Sequence, residues 1–129
     1  MHKLNEKSVV GISALLVHAA SIDETYSDKE KDLIKNFIKS YLKDIDVNDI
    51  LKKAEKIEKD SNQLLNYTNI IKQNSMEIKK DIIEHLWKII ISDKTVDQYE
   101  SNLMRRVCGL IYFPDKECAE IKLKLTNNK

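Results

Sequence analysis

The sequence predicts an all-α fold, a single bundle of about six to seven helices, on the basis of three observations. Only two glycines and one proline occur among the 129 residues, whereas β architectures need frequent turn residues. Apolar residues recur at spacings of three and four along most of the chain, which is the period of a helix. The third observation is a helix-loop-helix element that occurs twice, and it predicts an internal pseudo-two-fold repeat.

The length and the charge of the chain limit the classes of protein to which it can belong. We expect one domain over residues 1–129 with an ordered core of about residues 6–125, because a chain of this size can bury its own core. The 22 basic and 21 acidic residues nearly cancel, so no net field attracts nucleic acid. The apolar stretch 9–20 is too short and too polar to span a membrane. We therefore predict a cytoplasmic protein with no nucleic-acid partner and no membrane insertion.

The first three helices are predicted from apolar spacing and from capping residues. The first runs from about Glu6 to Ser21, and its apolar face is wide enough for a central place in the bundle. Ser27 followed by Glu30 is a capping box, in which side chains and backbone amides bond reciprocally at the start of a helix. Asp46 or Asn48 can cap a third helix, whose few apolar residues are typical of an outer position.

The second half of the chain is predicted in the same way. A break after the third helix precedes a short fourth helix, and Ser75 caps a fifth, which is the most apolar segment and is expected in the core. Asp97 followed by Glu100 repeats the capping box at the start of a sixth helix. Pro114 turns the chain into a seventh helix, and the tail from Thr126 is expected to fray.

Several side chains have simple expected roles. The ten-residue spacing of Cys108 and Cys118 fits no Cys-x-x-Cys motif, so we expect both to be reduced, with Cys108 buried as a small apolar residue. Trp87 and Met104 fall at helical spacing and are predicted to be core residues. The stretch 52–59 alternates lysine with glutamate and is predicted to be a solvated helix face.

Two segments of eight residues share the pattern Asp-x-Thr-x-(Ser/Asp)-x-x-Glu. They are residues 23–30 and 93–100, and the offset between them is 93 − 23 = 70. At the same offset, apolar residues of the first helix fall on those of the fifth, and apolar residues of the second fall on those of the sixth. The sequence therefore predicts two related helix-loop-helix halves that are joined by the middle helices.

This doubled arrangement of an apolar helix, an acidic loop and an amphipathic helix resembles the tellurite-resistance TerB-like family over nearly the whole chain. Residues 86–87 ahead of the second loop and residues 67–70 in the middle region resemble the family as well. Its loops carry a glycine after each aspartate, where this chain has Glu24 and Lys94. The resemblance implies a TerB-like bundle and a stress-associated domain without enzymatic activity, although tellurite resistance does not follow from the family name.

The resemblance also implies metal ligands, because TerB-like domains are associated with a cluster of acidic residues proposed to hold metal ions. The matching positions are Asp23, Glu30, Asp93 and Glu100, and the candidate cations are calcium, magnesium and zinc. An EF-hand is excluded, because its glutamate ligand stands at position twelve of the loop and here stands at position eight. His18 can join a softer site, although a histidine beside an apolar face is more often packed or solvated.

Helix capping explains much of the same pattern without an ion. The capping residues can accept bonds from exposed helix amides, and the glutamates can reach back to the caps. Capping does not require Asp23 or Asp93, although an Asx turn can hold either aspartate. If the loops are only structural, the alternative function is an adaptor that holds a protein partner in a groove between helices.

The sequence contains no motif that is typical of an enzyme. It has no nucleophile elbow, no glycine loop for a phosphate and no His-Glu-x-x-His pair. Helix ends account for the carboxylates of the repeated element. We therefore expect no catalytic activity and no cofactor other than a possible divalent cation.

Overall fold

The computed structural model describes residues 5–21, 26–60, 65–91 and 98–127, and it describes their side chains except at residues 65, 66, 98–101 and 127. Within these ranges the chain forms seven α-helices and no strand, which confirms the predicted all-α fold. The helices are α1 (Glu6–Ser21), α2 (Asp28–Tyr41), α3 (Val47–Asp60), α4 (Leu65–Lys72), α5 (Met76–Ile91), α6 (Gln98–Leu110) and α7 (Asp115–Asn127). Among these helices none has both the length and the apolar character that a membrane span requires.

α1 is the central helix of the bundle, as its wide apolar face predicts. It packs against α2, α3, α4 and α5, and eleven of its 16 residues are buried. Small side chains allow neighbours to approach it closely. A Cβ added at Gly11 would run into the Ile70 side chain of α4, so the glycine permits close packing of α4 on α1.

α2 and α3 form the outer side of the first half. α2 begins directly after Ser27, as predicted. Asp46, rather than Asn48, caps α3, because its Oδ1 accepts bonds from the backbone amides of Asn48 (3.0 Å) and Asp49 (3.3 Å). α3 buries few apolar side chains against α1 and α2, which confirms its predicted outer position.

α5 is the most deeply buried helix of the second half, and it packs against α1, α2, α4 and α7. The predicted cap is present, because Ser75 Oγ accepts a bond from the backbone amide of Ile78 at 3.3 Å. The predicted core residues Trp87, Met104 and Cys108 are buried. The largest fully buried side chains come mainly from α1, α2 and α5, and they are Phe37, Ile12, Leu15, Leu16, Ile34, Ile38, Ile50, Ile71, Ile82, Ile83, Leu86 and Ile89.

A tight turn joins α6 to α7. Phe113 N–H donates to the Cys108 carbonyl (2.8 Å) and Tyr112 N–H to that of Gly109 (3.4 Å), which is the bond pattern of a Schellman cap. Tyr112 occupies the left-handed position of this cap with φ of 61°. α7 then runs to Asn127, two residues beyond the predicted end of the ordered core.

The repeat is visible in the helix bounds. α5 begins and ends 70 residues after α1 (76 − 6 = 70 and 91 − 21 = 70), and α6 begins 70 residues after α2 (98 − 28 = 70). The third helices are related as well. α3 packs on α1 as α7 packs on α5, and Leu51 and Ile121, also 70 residues apart, are both buried. Each half of the chain therefore has a third helix that packs on its central helix, which the sequence had not indicated.

Candidate functional site

The four predicted metal ligands are described to different extents. Glu30 is fully described. Asp23 and Asp93 lie outside the described residues, as does the side chain of Glu100. Asp97, the predicted cap of α6, also lies outside, although α6 begins at the next residue. The candidate site is therefore built from the residues that surround the first loop, 22–25.

Glu30 forms the predicted capping box with Ser27. Its Oε1 accepts bonds from the Ser27 backbone amide (2.8 Å) and from the Ser27 hydroxyl (3.0 Å). In return, the Ser27 Oγ accepts a bond from the Glu30 backbone amide at 3.2 Å. Glu30 is only 1% exposed, and these bonds offset the cost of burying a carboxylate there. The capping role predicted for Glu30 is confirmed.

Tyr26 directly follows residues 22–25 in the sequence, and its side chain is hydrogen-bonded to α3. Its hydroxyl donates to Glu55 Oε2 at 2.6 Å. Burial, and then the hydrogen bond to Glu55, raises the pKa of Tyr26 well above its ordinary value of 10.0. The negative charges of Glu55, Glu30 and Glu58 raise this pKa further. Three carboxylates from two helices therefore produce a negative potential at this residue.

His18, near the end of α1, is a further titratable residue that contacts α3. Its Nδ1 lies 3.2 Å from Glu58 Oε2, which joins the end of α1 to α3. We call His18, Tyr26, Glu30, Glu55 and Glu58 the first-loop cluster. It brings together Tyr26 and side chains from α1, α2 and α3, and Asp23 lies between His18 and Tyr26 in the sequence. The sequence had placed one of these residues, Glu30, in the candidate site and had mentioned His18 as a possible addition.

Sequence reasoning missed Glu55 and Glu58, because they belong to the stretch 52–59 that was predicted to be a solvated face. The lysines of that stretch are exposed, whereas both glutamates are partly buried. The signal was available in their spacing. Glu55 and Glu58 follow the buried Leu51 by four and seven residues, and these intervals lie on one face of a helix.

The five residues of the first-loop cluster are not by themselves arranged as a metal site. Among the residues that the structure describes, no group of three or more His, Cys, Asp and Glu side chains is arranged to hold a metal ion. What the cluster provides is the negative charge of three carboxylates, each of which is stabilised by a hydrogen bond. A positive charge also lies nearby, because the Nζ of the half-buried Lys31 is 5.0 Å from the centre of the Tyr26 ring.

A second polar group joins α2 to α5. The Tyr41 hydroxyl donates to Asp81 Oδ2 at 2.6 Å, and His85 Nδ1 donates to the Asp81 carbonyl at 2.8 Å. The Phe37 ring meets the His85 ring edge-on, with the centroids 5.1 Å apart. Burial, and then the hydrogen bond and charge of Asp81, raises the pKa of Tyr41 above 10.0. His85 therefore has packing and hydrogen-bond partners that explain its position without a ligand.

Comparison with known proteins gives one result. The family model described as "Tellurite resistance protein TerB" matches residues 10–123, which span α1 to α7 and both acidic loops. No curated protein and no solved structure matches the chain at a significant level.

Proposed function

The chain belongs to the TerB tellurite resistance protein family, and we propose that it is a non-enzymatic, stress-associated member that binds a divalent cation at its acidic interhelical loops. The family is not generally known for enzymatic activity. The proposed ligands are Asp23, Glu30, Asp93 and Glu100, and the candidate cations are calcium, magnesium and zinc. Carboxylate ligation would brace the two loops against each other.

The observation that carries this proposal is the convergence of carboxylates on Tyr26. Glu55, Glu30 and Glu58 are close enough to raise the pKa of that phenol, and Asp23 lies three residues before it in the sequence. A cation beside the loop would be attracted by all of these charges. Hard divalent cations prefer the carboxylate oxygens that this region supplies.

Capping and cation binding are compatible at Glu30. The bonds from Ser27 are both made to Oε1, and a carboxylate has a second oxygen with its own lone pairs. We propose Oε2 as the oxygen that faces the cation. The capping box would then hold the ligand in place before the ion binds, which reduces the entropy cost of binding.

A cation titration followed by amide NMR tests the proposal. We expect calcium, magnesium or zinc at millimolar concentration to shift the amides of residues 23–30 and 93–100 together. Asp93→Asn should abolish the response at both loops. Asp115→Asn, which removes an exposed carboxylate at the start of α7, is the matched control and should leave it intact. Unchanged spectra, or equal responses from the two variants, would refute the cation proposal.

The alternative function, a protein-interaction adaptor, is supported by a groove between α1, α3 and α4. The groove has a volume of about 370 Å³, and its apolar lining is Val10, Gly11, Ile57, Tyr67 and Ile70. Ile57 is 39% exposed there. An amphipathic helix of a partner protein is the ligand that such a surface accommodates.

A pull-down in the presence of a metal chelator distinguishes the adaptor function from the cation-binding function. An adaptor should retain its partner in a pull-down with chelator present and should lose it on Ile57→Asp. Leu123→Asp, at an exposed leucine of α7, should not affect retention. Partner binding that survives Ile57→Asp would exclude this groove as the docking surface.

A further inference from the structure

The two cysteines meet at the junction of α6 and α7. Both are free thiols and buried, and the Cys108 thiol is a hydrogen-bond partner of Cys118. A third residue joins them, because the Nε1 of Trp87 on α5 donates to Cys118 Sγ at 3.3 Å. The sequence spacing of ten residues matches no redox motif. The Schellman turn after α6 reverses the chain and brings the thiols together.

The direction of the hydrogen bonds distinguishes the two sulfurs. An indole N–H can only donate, so Cys118 Sγ is an acceptor in its bond with Trp87. The bond between the two thiols raises the pKa of Cys108 and lowers that of Cys118, which assigns the Cys108 thiol as the donor to the same sulfur. Cys118 thus receives two donors, an arrangement that favours a thiolate, whereas Cys108 must keep its proton to make its bond.

The surroundings of Cys118 lower the pKa of its thiol on balance. The hydrogen bond from Cys108 is the largest effect, and the bond from Trp87 and the positive charge of Lys122 also lower this pKa, whereas burial and the negative charge of Asp115 raise it by less. The same thiol-thiol bond, together with burial, raises the pKa of Cys108. Lys122 Nζ also lies 5.3 Å from the centre of the Trp87 ring. Cys118 is the fourth residue of α7, near the positive end of the helix dipole.

We propose that Cys108 and Cys118 are a redox-active dithiol, which a hydroperoxide oxidises to a disulfide between α6 and α7. Cys118 is the attacking sulfur and Cys108 is the resolving sulfur. The degree of burial fits this order, because Cys118 keeps 6% of its surface exposed and Cys108 keeps none. A buried structural cysteine has no such partner and is inert.

The reaction has two steps that balance. The Cys118 thiolate attacks the distal oxygen of the hydroperoxide, an S–O bond forms, and the O–O bond breaks. The alkoxide or hydroxide that leaves takes up a proton, and Cys118 becomes a sulfenic acid. The Cys108 sulfur then attacks Cys118, an S–S bond forms, and the hydroxyl group leaves as water with the Cys108 proton. Two thiols lose two electrons, and the hydroperoxide gains them.

Hydrogen peroxide and the full-length chain provide the test. We expect one equivalent of peroxide to convert the protein into a monomeric species lighter by two hydrogens, which dithiothreitol reverses. At neutral pH the reaction should be about threefold or more faster than that of glutathione, whose thiol has no such donors. Trp87 is the single tryptophan and contacts Cys118. Its fluorescence should therefore change with the same rate constant as the oxidation of the thiols.

Two serine variants test the order of the steps. Cys108→Ser should still react and should accumulate a sulfenic acid that dimedone traps. Cys118→Ser should react at least about tenfold more slowly, because the remaining thiol lacks both donors. Circular dichroism at the start establishes that each variant is folded. If Cys118→Ser does not fold, the wild-type chain still decides, by peptide mapping of the dimedone adduct formed early in the reaction.

Three outcomes would overturn the proposal. The first is a thiol pair that reacts no faster than glutathione. The second is a product that is an intermolecular dimer or a sulfinic acid instead of an internal disulfide. The third is an early dimedone adduct on Cys108, which would reverse the roles assigned to the two sulfurs.

Discussion

Tyr26 and Tyr41 each place a phenol against a carboxylate of another helix. The Tyr26 hydroxyl bonds Glu55 of α3, and the Tyr41 hydroxyl bonds Asp81 of α5, both at 2.6 Å. The two bonds therefore join α2 and the loop before it to two separate neighbours. Each phenol is a donor to an anion, so neither can lose its proton without losing the bond.

This requirement predicts a loss of stability in alkaline solution. The pKa of each tyrosine is raised in the folded chain from 10.0, so the unfolded chain loses these protons first as the pH rises. The contribution to stability is complete below pH 10 and falls above it. The free energy of unfolding in urea should therefore decrease as the pH rises from about 10 to about 12, and less so in a Tyr26→Phe/Tyr41→Phe variant.

The control for this measurement is Tyr112→Phe, at a tyrosine that is 66% exposed. It should show the same alkaline decrease as the wild-type chain. An equal decrease in the double variant would mean that other groups, such as the lysines, account for the whole effect.

At the scale of single elements, the turn after α6 contains an unfavourable residue. Tyr112 has a φ of 61°, a conformation that costs a side-chain-bearing residue about 1–2 kcal/mol and costs glycine nothing. The Schellman bonds to Cys108 and Gly109 hold it there. The tyrosine recovers part of this cost through Lys72, whose Nζ lies 4.8 Å from the centre of its ring.

We therefore expect Tyr112→Gly to stabilise the fold by about 0.5 kcal/mol, after subtracting the lost ring contact and the greater entropy of glycine in the unfolded chain. Thermal or urea unfolding measures this difference. Tyr112→Ala is the matched control, because it loses the ring but keeps the Cβ and its strain. An alanine variant as stable as the glycine variant would contradict this explanation.

The element scale also shows what the sequence could predict. Ser27 and Ser75 were predicted as caps because a cap depends on atoms within three residues of it. The choice between Asp46 and Asn48 depended on a two-residue shift of the helix start that periodicity does not resolve. The Glu55 and Glu58 contacts were missed because their partners, Tyr26 and His18, are 29 and 40 residues away in the chain.

For the whole molecule, α1 is the helix on which stability depends most. Leu16 is completely buried in the helix that packs against four others. We expect Leu16→Ala to lower the free energy of unfolding by about 2–5 kcal/mol, because the cavity cannot close when neighbours are fixed on every side. Leu123→Ala, at an exposed leucine of α7, should change it by less than about 0.5 kcal/mol.

Urea unfolding of the two leucine variants provides the comparison. Similar losses at both positions would show that α7 belongs to the same cooperative unit as α1 and that Leu123 is protected in solution. A loss below about 1 kcal/mol at Leu16 would show that the bundle can rearrange around the cavity.

The overall fold could be predicted because one residue pattern occurs twice and fixes the helices on either side of it. The arrangement of the candidate site could not be predicted to the same extent. Glu30 was found because its partner Ser27 is local, whereas the pairing of Cys108 with Cys118 depends on the turn between α6 and α7. The relation of α3 to α7 was hidden because few apolar positions besides Leu51 and Ile121 correspond.

The three-helix repeat also bears on the evolutionary origin of the domain. α1 and α5 are corresponding helices, each packs against the other, and each is largely buried. A gene that encoded one such unit would have produced a polypeptide with an uncovered apolar face, and a second identical subunit could have covered it. Duplication and fusion of that gene would give the present chain, with α4 as the segment that connects the former subunits.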